Sequence, residues 1–145
     1  MEKKILIITG ESSGDIHGAA LSRSLIALKP DLKIFGIGGS EMRKSGVRLL
    51  QDNKKMAVVG ILEIFGKIRL LYRIFKKMED EIASGNYLAL VLIDYPTFNM
   101  MLACLASKHG LPVFYYIAPQ VWAWGKSRLK LLSRIVNKMF VILPF

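Results

Sequence analysis

Three segments set carboxylates, hydroxyls or tryptophans where an apolar run stops. Each suits chemistry on a polar ligand. The run Lys4–Thr9 leads into Gly10-Glu11-Ser12-Ser13-Gly14-Asp15. Glu11 is then a carboxylate beside a helix start, where the positive end of the helix dipole favours the ionised form. Such a group can accept hydrogen bonds from sugar hydroxyls or take a proton as a general base. Ser12, Ser13 or Asp15 suits the helix N-cap, and Gly10 and Gly14 allow a tight turn with backbone N–H groups facing a ligand. A plain strand-to-helix turn closed by a capping acid uses the same residues. Asp94 directly follows the apolar run 88–93, Pro96 stops that strand, and Asn99 opens the next helix. A structural Asp satisfied by its own turn is the alternative there. In Pro119-Gln120-Val121-Trp122-Ala123-Trp124 the two tryptophans, two residues apart, do not share a helix face. In a loop they can stack on a sugar or wedge into a lipid interface, and core packing is the alternative.

Other chemistries find little support. The glycines of 10–14 lack the Gly-Lys-Ser/Thr ending of a P-loop, and Gly36-Ile37-Gly38-Gly39 misplaces the third glycine of a dinucleotide fingerprint. His17 and His109 have no second His, Cys or carboxylate at ligand spacing, so no metal and no cofactor is expected. Cys104, the single cysteine, sits in an apolar run and reads as a small core residue.

The elements that must position these residues alternate. Strands are predicted at 4–9, 33–37, 47–50, 88–93, 113–117 and 138–143. Helices are predicted at 15–29, 40–45, 67–84, 98–109 and 126–136. In the longest helix Ile68, Leu71, Phe75, Met78 and Ile82 recur at three- and four-residue steps and share one face. The continuous apolar run 88–93 suits a strand covered on both sides. Such alternation predicts an α/β fold, a Rossmann-like doubly wound parallel sheet with right-handed crossovers. Ligands of such sheets bind beyond the carboxyl ends of the strands.

A hydrophobic content of 52% excludes a disordered chain. No run approaches the ~18 apolar residues of a membrane span; 56–66 comes nearest and Glu63 interrupts it. The start shows no signal peptide, so a cytoplasmic location is expected. The net charge of +10 gathers in two clusters, Lys54, Lys55, Lys67, Arg69, Arg73, Lys76 and Lys77, and Lys126, Arg128, Lys130, Arg134 and Lys138. An anionic partner suits this balance. The basic first half of helix 67–84, preceded by apolar 56–65, suits an anionic bilayer surface. Apolar residues beside the basic ones argue against nucleic acid.

Read in order, Gly10–Asp15, Met56-Ala57-Val58-Val59-Gly60-Ile61-Leu62-Glu63, Ile93-Asp94-Tyr95-Pro96-Thr97-Phe98-Asn99, Pro119 to Trp124 and the terminal Ile142-Leu143-Pro144-Phe145 resemble the lipid-A-disaccharide synthase family in motif and spacing. The resemblance implies one half of a GT-B fold, in which two Rossmann-like domains face a cleft. The implied activity joins UDP-2,3-diacylglucosamine to 2,3-diacylglucosamine 1-phosphate (lipid X) by an inverting β-1,6 transfer, without a metal and at the inner face of the inner membrane. Residues 1–145 are then the N-terminal, acceptor-side domain. The C-terminal UDP-sugar-binding domain is expected to be absent from this chain, with a partner chain as the means of completing the cleft. Glu11 and Asp94 are the implied catalytic residues. Ser12, Ser13, Gly14, Asp15, Asn99, Gln120, Trp122 and Trp124 are the implied substrate contacts. Met56, Val58, Val59, Ile61, Leu62, Ile64, Phe65, Lys67, Arg69 and Arg73 are the implied acyl-chain and membrane surface. Family members often carry Asp where Thr97 stands. A threonine takes no proton at neutral pH, so the base falls to Glu11 or Asp94. Another GT-B transferase acting on a lipid-linked acceptor, a non-catalytic lipid-surface module and a nucleic-acid-binding module are the competing readings.

Overall fold

The structure, a computed structural model, describes residues 2–56, 64–117 and 126–141. The apolar runs form strands β1 (Lys4–Thr9), β2 (Lys33–Gly38), β3 (Arg48–Asp52), β4 (Ala89–Ile93), β5 (Val113–Tyr116) and β6 (Lys138–Phe140). Between them lie helices α1 (Ser12–Leu28), α2 (Ser40–Lys44), α3 (Ile64–Ala83), α4 (Pro96–Lys108) and α5 (Lys126–Ile135), with one 3-10 turn at Asn53–Lys55. Three helices begin two or three residues earlier than their sequence signals suggest, α3 among them at Ile64 rather than Lys67. Helix α1 starts at Ser12 rather than Asp15, because Asp15 turns inward and is spent elsewhere. Helix α4 starts at Pro96, whose fixed φ and missing N–H suit the first helical position.

All strand pairs are parallel, in the order β3-β2-β1-β4-β5-β6. This is the doubly wound arrangement. The chain steps outward from β1 to β3, then crosses back through α3 to place β4 on the other side of β1. Successive β1 residues feed opposite layers, as the two-residue strand period requires. Ile5 and Ile7 pack with Ala19 of α1 and Met42 of α2. Leu6 and Ile8 pack with Met78 of α3, Leu102 of α4 and Leu132 of α5. Both faces of the central strands are thus covered, which accounts for their unbroken apolar runs.

Helix α3 does not bury its expected apolar face evenly. Met78 and Ile82 are buried with Ile74, whereas Ile68 is 59% exposed and Leu71 and Phe75 are half-buried. The second half packs on the sheet and the first half overhangs it. Cys104 is half-buried against solvent rather than a core residue, because it lines a shallow groove between α4 and α5. Among the described residues no helix is long and apolar enough to cross a membrane.

Candidate active site

The strand order reverses between β1 and β4, and a crevice opens at such a switch point. Thr9 stands opposite Ile93 in the β1–β4 register. Glu11 and Asp94 therefore leave adjacent strands at the same edge of the sheet. Gln120, Trp122 and Trp124 lie outside the described residues, as do Val58, Val59, Ile61 and Leu62. Ile64 and Phe65 open α3, and their side chains lie outside the described set.

The backbone beyond β4 and β5 is strained. Asp94, Tyr95 and Ile117 have φ of 47°, 48° and 62°. Aspartate tolerates this left-handed region, but tyrosine and a β-branched isoleucine do not. Each such residue costs about 1–3 kcal/mol and persists only where its surroundings hold it. Here Asn99 Nδ2 donates to the carbonyls of Ile93 (3.2 Å) and Asp94 (2.7 Å). The Tyr115 hydroxyl donates to the same Asp94 carbonyl at 2.9 Å, and the Asp94 N–H donates to the Ile117 carbonyl at 3.3 Å. Pro96 also disfavours the right-handed region for Tyr95. Asn99 and Tyr115 are both 0% exposed. Asn99, read from the sequence as a substrate contact, therefore acts on the backbone under Asp94 and is sealed from the cleft. Burial, then the negative charge of Asp94, push the Tyr115 phenol far above the usual tyrosine range.

The Gly10–Asp15 loop is put together differently from its sequence reading. Glu11 is the N-cap residue of α1, yet no side chain makes the capping bond. Asp15 instead caps another helix. Its buried carboxylate accepts from the N–H groups of Gly39 (2.7 Å), Met42 (3.0 Å) and Glu41 (3.0 Å), the first turn of α2. Its oxygens are thus used inside the fold and face no ligand. Gly14 is buried in α1, where an added Cβ would lie 3.0 Å from the Thr9 Cβ. Neither Gly10 nor Gly14 has a positive φ. Gly10 is required for another reason, since a Cβ there would fall 2.1 Å from the Tyr95 ring, which lies against the loop. Ser12 and Ser13 are exposed at the start of α1. Asn53, which the sequence reading passed over, ties the loop to β3. Its Nδ2 donates to the Glu11 carbonyl at 3.2 Å and lies 3.4 Å from the Thr9 hydroxyl.

Two hollows meet at this edge. An apolar cavity of about 610 Å³ lies between the first half of α3 (Ile68, Leu71, Tyr72, Phe75) and the start of α4 (Tyr95, Thr97, Phe98, Met101). Glu11 is the one carboxylic or basic side chain among its described lining residues. A second hollow of about 430 Å³ is lined by Gly10, Glu11, Ser12, Asn53, Lys54, Met56 and Tyr95. Met56, expected on an acyl-chain surface, is 1% exposed and also belongs to the core. Glu11 and Tyr95 line both hollows. Burial, then the charge of Glu11, raise the Tyr95 phenol above its ordinary value. Arg69 and Arg73 are exposed on α3, on the flank next to Tyr72, and Lys67 is half-buried. The cavity walls Tyr72 and Met101 were given no site role from the sequence, and Tyr95 entered only as part of the family motif. The proline after Tyr95 signalled the end of the strand and disfavoured right-handed helical backbone there, but not the left-handed φ it adopts. Among the described residues no group of three His, Cys, Asp or Glu could hold a metal.

Such a site can place a carboxylate beside the polar head of a molecule whose tail is apolar. The sequence profile of the family described as lipid-A-disaccharide synthetase matches residues 5–145. The chain is 49% identical over 142 residues to the lipid-A-disaccharide synthase of Geobacter sulfurreducens, covering 98% of this chain and 37% of that protein. It is 41% identical over 143 residues to lipid-A-disaccharide synthase 1 of Legionella pneumophila, again 98% and 37%. It thus spans little more than a third of the length of these relatives. In fold it is similar to a UDP-GlcNAc 2-epimerase from Neisseria meningitidis, with a TM-score of 0.61 at 12% identity over 95% of this chain and 39% of that one. A ugt transferase from Siraitia grosvenorii gives 0.53 at 11% identity over 79% and 27%. Profile and relatives together make this chain a member of the lipid-A-disaccharide synthetase family.

Proposed function

We propose that the chain is the acceptor-side, N-terminal domain of an inverting GT-B glycosyltransferase of lipid A biosynthesis. The reaction transfers 2,3-diacylglucosamine from its UDP derivative to 2,3-diacylglucosamine 1-phosphate, giving the β-1,6 disaccharide and UDP. The observation that carries this reading is the apolar cavity of about 610 Å³ with Glu11 at its rim, at the switch point of the sheet. An acyl chain needs such a cavity, and the acceptor hydroxyl needs a carboxylate beside it. Glu11 takes the proton of the acceptor 6-hydroxyl while O6 attacks the anomeric carbon from the face opposite UDP. The C1–O bond to the diphosphate breaks and UDP leaves with the electron pair. Glu11 suits the base better than Asp94, because it lines both hollows and Asp94 lines neither. Asp94 shapes the crevice from the next strand. Thr97, on the cavity wall, carries no base function.

The donor half of the cleft belongs to a second Rossmann-like domain, in the part of the relatives beyond this chain's span. Exposed Arg69 and Arg73 beside Ile68 and Tyr72 support a peripheral position on the anionic inner face of the inner membrane, where both substrates reside. Incubation of the 145-residue chain with both substrates is expected to give little or no disaccharide. Addition of the donor-side half of a relative is expected to restore product. Disaccharide formation at an ordinary enzymatic rate by the chain alone would overturn the division of labour.

A further inference from the structure

We infer that Glu11 and Tyr95 form a ridge under one amphiphilic ligand, with its acyl tail in the α3–α4 cavity and its phosphate in the neighbouring hollow, held by Lys54. The inference rests on the acceptor reading above and adds the orientation of the acceptor and a phosphate ligand.

The second hollow is also largely apolar, with Met56 in its wall, but unlike the first it adds a cationic and several polar side chains, and the two share their dividing wall. On the α3–α4 side the lining is Ile68, Leu71, Phe75, Phe98 and Met101. On the other side lie Ser12, Asn53 and Lys54. Lys54 is exposed, and its ammonium has no hydrogen-bond or ion-pair partner among the described residues. Ser12 opens the 17-residue helix α1, so the positive end of that helix adds to Lys54. Glu11 repels a phosphate placed directly on the ridge and drives it to the Lys54 side. Tyr95 remains a neutral donor at the ridge, because burial and the Glu11 charge oppose its ionisation.

The connectivity of the sugar fits this wall. Around the pyranose, C5, which carries C6, lies between C1 through the ring oxygen and C3 through C4. A ring set with O6 on Glu11 therefore directs its C1 phosphate to one side and its C3 acyl group to the other. The reverse orientation would put the acyl chain on Lys54 and the phosphate among apolar side chains, which costs desolvation without a counter-charge.

The test is calorimetric titration of the 145-residue chain with three probes. They are a short-acyl 2,3-diacylglucosamine 1-phosphate, the same molecule without its phosphate, and glucosamine 1-phosphate without acyl chains. Lys54→Gln is expected to weaken the phosphorylated diacyl probe about tenfold and to leave the dephosphorylated probe within about twofold, the signature of one charge-assisted contact. Lys55→Gln, which removes the same charge next door, is expected to change both by less than about twofold, as screened exposed charges do. Lys54→Arg is expected to recover most of the loss. Unchanged affinity for the phosphorylated probe in Lys54→Gln, or an equal loss for both diacyl probes, overturns the inference while the acceptor reading stands. Failure of the unmodified chain to bind either diacyl probe overturns that reading and the inference together.

Discussion

Glu11 and Asp94 show how two similar carboxylates are separated by their settings. Glu11 is exposed at the N-terminus of α1 and lines both hollows, so its side chain is free to meet a substrate. Asp94 is half-buried, and its backbone is held by Asn99 and Tyr115. In the chain completed by a donor-side half, Glu11→Gln is expected to lower the transfer rate by at least about 100-fold, the usual contribution of a general base. Its unfolding free energy should stay within about 0.5 kcal/mol of the parent, as for an exposed surface side chain. Product formation and urea unfolding check the two halves of this statement. A large rate loss for Asp94→Asn with a small one for Glu11→Gln would move the base to β4.

Among the elements, α2 depends most on a distant residue. Five residues are too few to hold a helix alone in water, and its first-turn N–H groups are satisfied by Asp15 from α1. Asp15→Ala is expected to cost about 3 kcal/mol, from charge-assisted hydrogen bonds lost and buried donors left unpaired. The urea midpoint should fall accordingly. Because α2 packs Met42 under β1 and β2, the loss spreads to the Gly10–Asp15 loop above them. Helix α3 divides its work along its length. Ile74, Met78 and Ile82 anchor it, and Ile68 and Tyr72, both 59% exposed, overhang the cavity.

For the molecule as a whole, the proposed bilayer surface is the basic flank of α3 beside the open apolar cavity. Vesicle flotation checks it. The chain is expected to float with vesicles containing anionic lipid and to stay behind with neutral ones, each basic residue near the surface adding about 1 kcal/mol. Replacement of Arg69 and Arg73 together by Gln is expected to reduce the bound fraction strongly. Rising salt should do the same, since a Debye length of ~10 Å at 0.1 M screens these charges. Equal flotation with and without anionic lipid would remove the electrostatic part of the surface.

The order of strands and helices, the parallel sheet and the family were legible in the sequence, because hydrophobic period, proline and glycine stops and short motifs are local properties. So was the presence of carboxylates just past β1 and β4. Their partners were not. Asp15 meets N–H groups 24 to 27 residues away, and Tyr115 reaches Asp94 across 21. Spacing made Asp15 a helix cap, and the family resemblance made Asp15 and Asn99 substrate contacts. The folded chain turned both inward, because buried N–H groups and strained carbonyls must find partners. The cavity belongs to the tertiary structure alone, since it exists only where the first half of α3 runs past the sheet and stands opposite the start of α4.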